Sequence, residues 1–270
     1  MAWLRESTVP EYAPVKRDIG VADFFAAAGT TSIRRVVLVQ AGTDPVETAW
    51  LLDVADSDDG IAGVVGWVTL ESADATRRQL ESLAPRRKLV GIRHMDGWPP
   101  DGSLLKTGVG YASAQVLADE DIVLDVAFGP PEDLRHVSAL AKRVPALRIV
   151  VDHLGIPPGR QGEGFFDRWS QEMSAIALLP NVSVKYSGWT TRLPEVRVDA
   201  VAPYIDYVLH EFGASRVMFA GNWPICTATG DYRTMFETSL GALAALDDAE
   251  RQAVLAGTAA SVYRLGENVG

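Results

Sequence analysis

The sequence predicts an α/β fold in which parallel strands and crossover helices build a (β/α)8-type barrel lacking its first strand. Seven short apolar runs recur along the 270 residues, each followed by a segment of helical period. The runs are near-continuously hydrophobic rather than alternating, as strands covered on both faces must be. No GxGxxG or GxxxxGK[ST] turn follows the first run, which favours a barrel over an open nucleotide-binding sheet.

The strands are read at Val36 to Ala41, Gly63 to Leu70, Leu89 to His94, Ile122 to Phe128, Ile149 to Gly155, Val182 to Trp189 and Val217 to Pro224. Helices are read at Val46 to Ser57, Ala73 to Ala84, Leu104 to Ala118, Pro131 to Val144, Phe165 to Leu179, Val201 to Phe212 and Tyr232 to Leu246. Asp44-Pro45 supplies an N-cap and a first-turn proline for the first of these, and Pro130-Pro131-Glu132 opens another in the same way. Strand ends recur every 25 to 35 residues or so, the size of a βα unit, with no linker between them, so one domain over residues 1–270 is expected. Before Val36 there is only a loop and a helix from about Val21 to Ala28, so one strand is missing from a closed eight-stranded barrel. The strands starting at Val36 and Val217 would then carry open edges. Either the chain is N-terminally shortened, or the gap is covered by its N-terminal segment, by a partner or by a homodimer contact.

Composition narrows the function. Thirty-five acidic residues against 25 basic ones give a formal charge of −10, which repels phosphate backbones and anionic membranes, so no nucleic acid or membrane partner is expected. Cys226 is the single cysteine and cannot form an internal disulfide; with no signal-like N-terminus and no run of 18 apolar residues, a cytoplasmic location is expected.

In such barrels the reactive groups stand at the C-terminal strand ends. The polar residues there are Gln40, Arg93 and His94, Asp125, Asp152 and His153, Lys185 and Ser187, and Asn222. Strand alternation aligns His94 with Ile92 and Val90, His153 with Val151 and Ile149, and Asn222 with Ala220 and Met218. These three are expected to point into the barrel as the catalytic set, with Gln40 completing the ring. An isolated buried histidine is more often a hydrogen-bonded core residue; three polar groups at equivalent strand ends shift the balance. Asp152 is expected to point outward and to be structural, and Asp125 is left open. Arg93 and Lys185 are cations that either hold a substrate or neutralise an aspartate. His136 and His210 fall within helices and are set aside. Trp98 and Trp223 lie in strand-end loops and suit stacking on a sugar-like ring. Arg93, Lys185, Ser187, Gln40, Trp98 and Trp223 therefore form the expected substrate-binding set.

The segments Val90-Gly91-Ile92-Arg93-His94, Val150-Val151-Asp152-His153-Leu154-Gly155, Val184-Lys185-Tyr186-Ser187-Gly188 and Gly221-Asn222-Trp223-Pro224 resemble, in order and spacing, an amidohydrolase-2 type family. That family includes L-fuconolactonase, L-rhamnonolactonase-like enzymes and 2-pyrone-4,6-dicarboxylate lactonase. Val64-Val65-Gly66-Trp67-Val68 and Tyr263-Arg264-Leu265 extend the resemblance along essentially the whole chain. It implies a TIM barrel and hydrolysis of a small lactone or related cyclic ester, with His94 and His153 matching two of the family's strand-end histidines.

Three departures stand out. Asn222 occupies the position of an acidic residue that activates water in the family, and an amide cannot take up that proton near neutral pH. The His-x-His that ends the first strand in relatives occurs nowhere in this sequence. His94 and His153 alone make a weak divalent site, so neither a tightly bound metal nor another cofactor is expected. Thr258 replaces an asparagine near the end. Besides a hydrolase acting on a small lactone, sugar acid or carboxylate, two readings stay open. One is an impaired homologue that binds a metabolite or partner without turnover. The other is a decarboxylase, isomerase or cyclase on the same scaffold.

Overall fold

The computed structural model describes residues 8, 10–84, 86–95, 104–127, 131–157, 164–193 and 195–266. Seven strands, β1 (Val36–Val39), β2 (Ile61–Gly66), β3 (Leu89–Met95), β4 (Val123–Ala127), β5 (Ile149–Val151), β6 (Val182–Tyr186) and β7 (Val217–Phe219), form one all-parallel sheet in sequential order. The helices after them are α2 (Pro45–Asp56), α3 (Ala73–Leu83), α4 (Tyr111–Asp119), α5 (Leu134–Arg143), α6 (Phe165–Ala177), α7 (Val198–Phe212) and α8 (Tyr232–Ala242). They follow α1 (Val21–Ala28), and two short helices, α9 (Asp248–Gln252) and α10 (Thr258–Val262), close the chain. Among the described residues β1 and β7 do not pair with each other.

Local chemistry accounts for the helices. Asp44 caps α2, accepting from the Val46 amide at 2.9 Å, with Pro45 in the first turn as the sequence predicts. Pro131 opens a short 3₁₀ turn, Pro131–Asp133, ahead of α5. Helix α5 buries Leu134, Val137, Leu140 and Ala141 on one stripe and ends in Lys142 and Arg143, whose charge favours the helix C-terminus. Helix α4 starts at Tyr111, seven residues later than the periodicity predicts, after a series of turns.

Two apolar layers sandwich the sheet. Ile92, Leu124, Val126, Ile149, Val151, Val184, Tyr186 and Val217 face the helices. Val65, Val90, Val123, Val150 and Met218 face inward with Tyr263, and Val37 and Val39 of β1 pack on the same cluster. Residues from both β1 and β7 meet the same inner cluster, so the sheet is strongly curled. The chain end closes its lower mouth: Arg148, just before β5, donates to the Val262 carbonyl at 2.6 Å, and Tyr263 enters the interior beside it.

A bulge in β3 decides which residues reach the interior. Val64 pairs with Leu89 but Val65 pairs with Gly91, so Val90 is an extra residue and the alternation of β3 is reset beyond it. From Gly91 on, Arg93 stands beside Asp125, whose strand neighbour Val123 is interior, while His94 stands beside Val126 and shares the outer face with Ile92.

Candidate active site

The strand interior carries a buried ionic network. The Lys185 ammonium binds Asp125 and, at 2.8 Å, Asp152. The Arg93 guanidinium lies 2.9 Å from the other Asp152 oxygen and donates to the Gln40 carbonyl at 3.2 Å. Tyr263 donates to the Asp125 carboxylate at 2.8 and 2.9 Å. Two cations and two anions are thus brought together by β3, β4, β5 and β6, with no net charge among them.

Burial and pairing compete at every member. Burial pushes Asp125 up to about 6 despite the Lys185 ammonium beside it. At Asp152 burial acts in the same sense, but Lys185, Arg93 and His153 outweigh it and hold the carboxyl well below the usual range. Burial works against the Lys185 charge, yet Asp125 and Asp152 keep its pKa raised. Burial beside Asp125 raises the Tyr263 phenol well above its ordinary value. Lys185 is therefore a charged support rather than an amine available as a base.

His153 follows β5 in a turn where four successive residues are left-handed: His153 (φ 56°), Leu154 (54°), Gly155 (60°) and Ile156 (58°). The turn is pinned by Trp169, whose indole donates to the Leu154 carbonyl at 2.8 Å, and by the Ile156 amide, which donates to the His153 carbonyl at 2.9 Å. His153 Nδ1 is 2.9 Å from the Ser187 hydroxyl. Burial lowers the imidazole to about 4, and Arg93, Lys185 and Arg192 add to this against the opposing pull of Asp152. It is neutral through the physiological range.

Asn222, after β7, is also left-handed (φ 49°), and its carbonyl accepts from the Cys226 amide at 3.0 Å. The Trp223 ring packs edge-on against Phe24 at 5.5 Å. Together with Val15, Arg17, Asp23 and Tyr232 it lines an open cavity of about 440 Å³.

Several expectations are corrected. His94 is buried on the outer, helix-facing side of β3, because the bulge at Val90 shifts the alternation that aligned it inward. Asp152 points into the interior, not outward, in line with Val150 and held by Lys185 and Arg93. Gln40 joins no interior ring: its side chain accepts from Thr48 at 2.5 Å and donates to the Asp44 carbonyl at 2.9 Å, fastening the β1–α2 loop. Arg93 and Lys185 take the second of their two readings, neutralising aspartates. Trp98 lies outside the described residues. The Asp125–Tyr263 contact was missed; an acid and a phenol 138 positions apart leave no local signal.

The amidohydrolase family model matches residues 1–265. The chain belongs to the amidohydrolase family. Within it, the chain is 35% identical over 219 residues to an L-fucono-1,5-lactonase of Burkholderia ambifaria, spanning 81% of this chain and 74% of that protein. It is 31% identical over 242 residues to the L-fucono-1,5-lactonase of Burkholderia multivorans, spanning 86% and 81%. Among solved structures, an amidohydrolase of Burkholderia multivorans with bound zinc superposes with a TM-score of 0.86 at 27% identity, over 95% of this chain and 92% of that one.

The donor set here does not match a divalent cation. Among the described residues no three His, Cys, Asp or Glu side chains group around a metal position. The interior carboxylates Asp125 and Asp152 are occupied by Lys185, Arg93 and Tyr263, and His153 Nε2 alone would be a single ligand, too few to hold a metal. No helix among the described residues is long and apolar enough to cross a membrane.

Proposed function

We propose that this protein hydrolyses a small lactone, with L-fucono-1,5-lactone and related sugar lactones as first candidates. The observation that carries the reading is the 35% identity to an L-fucono-1,5-lactonase across 81% of the chain. The reaction adds water to the ester carbonyl and opens the ring to a hydroxy acid. His153, neutral at the end of β5, serves as the group that polarises the carbonyl; Asn222 and Trp223, after β7, border the substrate; Arg93 and Lys185 hold the floor beneath them. His94, Gln40 and Ser187 act as supports. The chain works as a single domain on a small molecule in the cytoplasm, without nucleic acid, and light scattering tests whether it is a homodimer.

A second reading, an impaired homologue that binds without turnover, is favoured by Asn222, which cannot act as general base. One experiment separates the two: pH-indicator hydrolysis assays of sugar-acid lactones with the purified protein and its Asn222→Asp variant. Turnover above the spontaneous rate by the unmodified protein supports the lactonase, with the variant faster by up to the roughly 10²- to 10⁴-fold that a general base contributes. Activity confined to the variant identifies a binding protein, and silence in both overturns the lactonase reading.

A further inference from the structure

We propose that Ser187 is a positioning residue for His153: its hydroxyl donates to Nδ1, fixing the tautomer that carries its proton on Nε2. The Nε2–H then faces the strand-end opening as a donor to a carbonyl oxygen. This deepens the lactonase reading and rests on it for its chemistry, though not for its geometry.

Four observations converge. Ser187 is 2% exposed, too enclosed to meet a substrate itself, and among the described residues its hydroxyl has His153 as its one hydrogen-bond partner, at 2.9 Å. A buried O–H with one available acceptor donates to it, because an orphaned buried donor is costly. Next, Gly188 lies directly under the imidazole. It is left-handed (φ 72°), and a methyl there would fall 2.6 Å from His153 Cβ, 2.7 Å from Cγ and 2.8 Å from Nδ1. The Cβ–Nδ1 side of the ring is thus covered by Gly188 and Ser187, which leaves the Nε2 edge for the half-buried face of the residue.

The third observation is backbone strain. His153 and Leu154 are non-glycine residues in the left-handed region, a conformation that costs free energy and persists where surrounding contacts impose it. Here those contacts are the Asp152 ion pairs on one side and the Trp169 indole on the other. Finally, the flanking charges suit a neutral donor. Arg93, Lys185 and Arg192 oppose a second ring proton and Asp152 favours one; with burial, the balance keeps the ring singly protonated above about pH 4. A neutral imidazole with a fixed tautomer is a usable electrophile, and the wrong tautomer would turn a lone pair toward the carbonyl oxygen.

The test reads the tautomer directly. Imidazole nitrogen resonances of the full chain near pH 7 are assigned to His153 by their loss in His153→Gln. Nδ1 is expected to be unprotonated and Nε2 protonated. In Ser187→Ala that preference should collapse toward a mixture, and Ser187→Thr should restore it. Gly188→Ala keeps the serine but drives a methyl into the ring, and should scramble the tautomer as well. A protonated Nδ1 in the unmodified protein, or an unchanged tautomer in folded Ser187→Ala, overturns the proposal. On a turned-over lactone, kcat should fall, by up to roughly 100-fold, in Ser187→Ala, the scale on which a misplaced catalytic group costs rate, with KM moving less. A protein with no lactone turnover leaves the nitrogen spectra decisive, so failure of the lactonase reading and failure of the positioning role are told apart.

Discussion

Replacing Lys185 by methionine tests the interior network most directly. The substitution keeps the length and apolar stem of the side chain but removes the charge between Asp125 and Asp152. Arg93 still faces Asp152, and only the Tyr263 hydroxyl remains on Asp125. Leaving one partner of a buried pair uncompensated costs about 3–5 kcal/mol. At roughly 2–4 °C per kcal/mol for a chain of this size, the melting temperature should fall by about 6–20 °C at pH 7. The sign with pH follows from Asp125, whose folded pKa is already raised to about 6. Without the ammonium it rises further, so the folded variant takes up a proton that the unfolded carboxyl releases above about 4. The penalty is therefore largest near pH 7 and above and shrinks as pH falls toward 5. Adding Asp125→Asn should recover most of the loss, because the orphaned charge is gone. A thermal melt series of the two single variants and the double variant measures all of this. A Lys185→Met loss below about 1 kcal/mol at pH 7, the level of an exposed pair, would refute the buried network.

Four further outcomes follow from the same geometry. The His153 imidazole, lowered to about 4, should stay neutral down to that pH, so a His153 ring-nitrogen titration with a midpoint near 6.5 would contradict its burial. Between pH 6.5 and 4 the unfolded imidazole gains a proton that the folded one does not, so His153→Gln should reduce the loss of stability on acidification through that window, read by denaturant melts. Thr48→Val removes the hydroxyl that donates to Gln40 and accepts from the Trp67 amide at 3.1 Å, and should cost about 1–3 kcal/mol through the buried groups left unpaired. Cys226 is 2% exposed with its thiol pushed up to about 12, so it should resist thiol reagents in the folded protein and react stoichiometrically after denaturation.

The strand runs and the helix order were legible because both rest on composition over long windows. Side-chain direction was not. Every inner strand here is covered on both faces, so Ile92, Val126 and Val151 toward the helices read the same as Val90, Val123 and Val150 toward the interior. With no polar face to fix the phase, one extra residue at Val90 moved Arg93 inward and His94 outward, as any single-residue slip must. The left-handed run after β5 hid the setting of His153 similarly, since only Gly155 of its four residues advertises a positive φ. The site was legible as a set of strand ends but not as a division between the groups that hold charge and those that face the opening.

That division bears on the kind of lactone the site should accept. Were Arg93 and Lys185 free, they would suit a substrate with one or two carboxylates, and a pyrone dicarboxylate would be a natural candidate. Both are committed to Asp125 and Asp152, and the four groups sum to zero charge. Drawing Lys185 onto a substrate would strand Asp125, and drawing off Arg93 would leave Lys185 to neutralise two buried aspartates alone, a cost of several kcal/mol that one exchanged ion pair does not return. An uncharged polyol lactone needs no such exchange, since hydroxyls bind through dipoles. Parallel kinetics should therefore give a kcat/KM for neutral sugar lactones at least about 10-fold above that for pyrone dicarboxylates, a difference of roughly 1.4 kcal/mol. The reverse preference would mean that a substrate carboxylate competes successfully for Arg93 or Lys185, and that the network is a resting arrangement which substrate breaks.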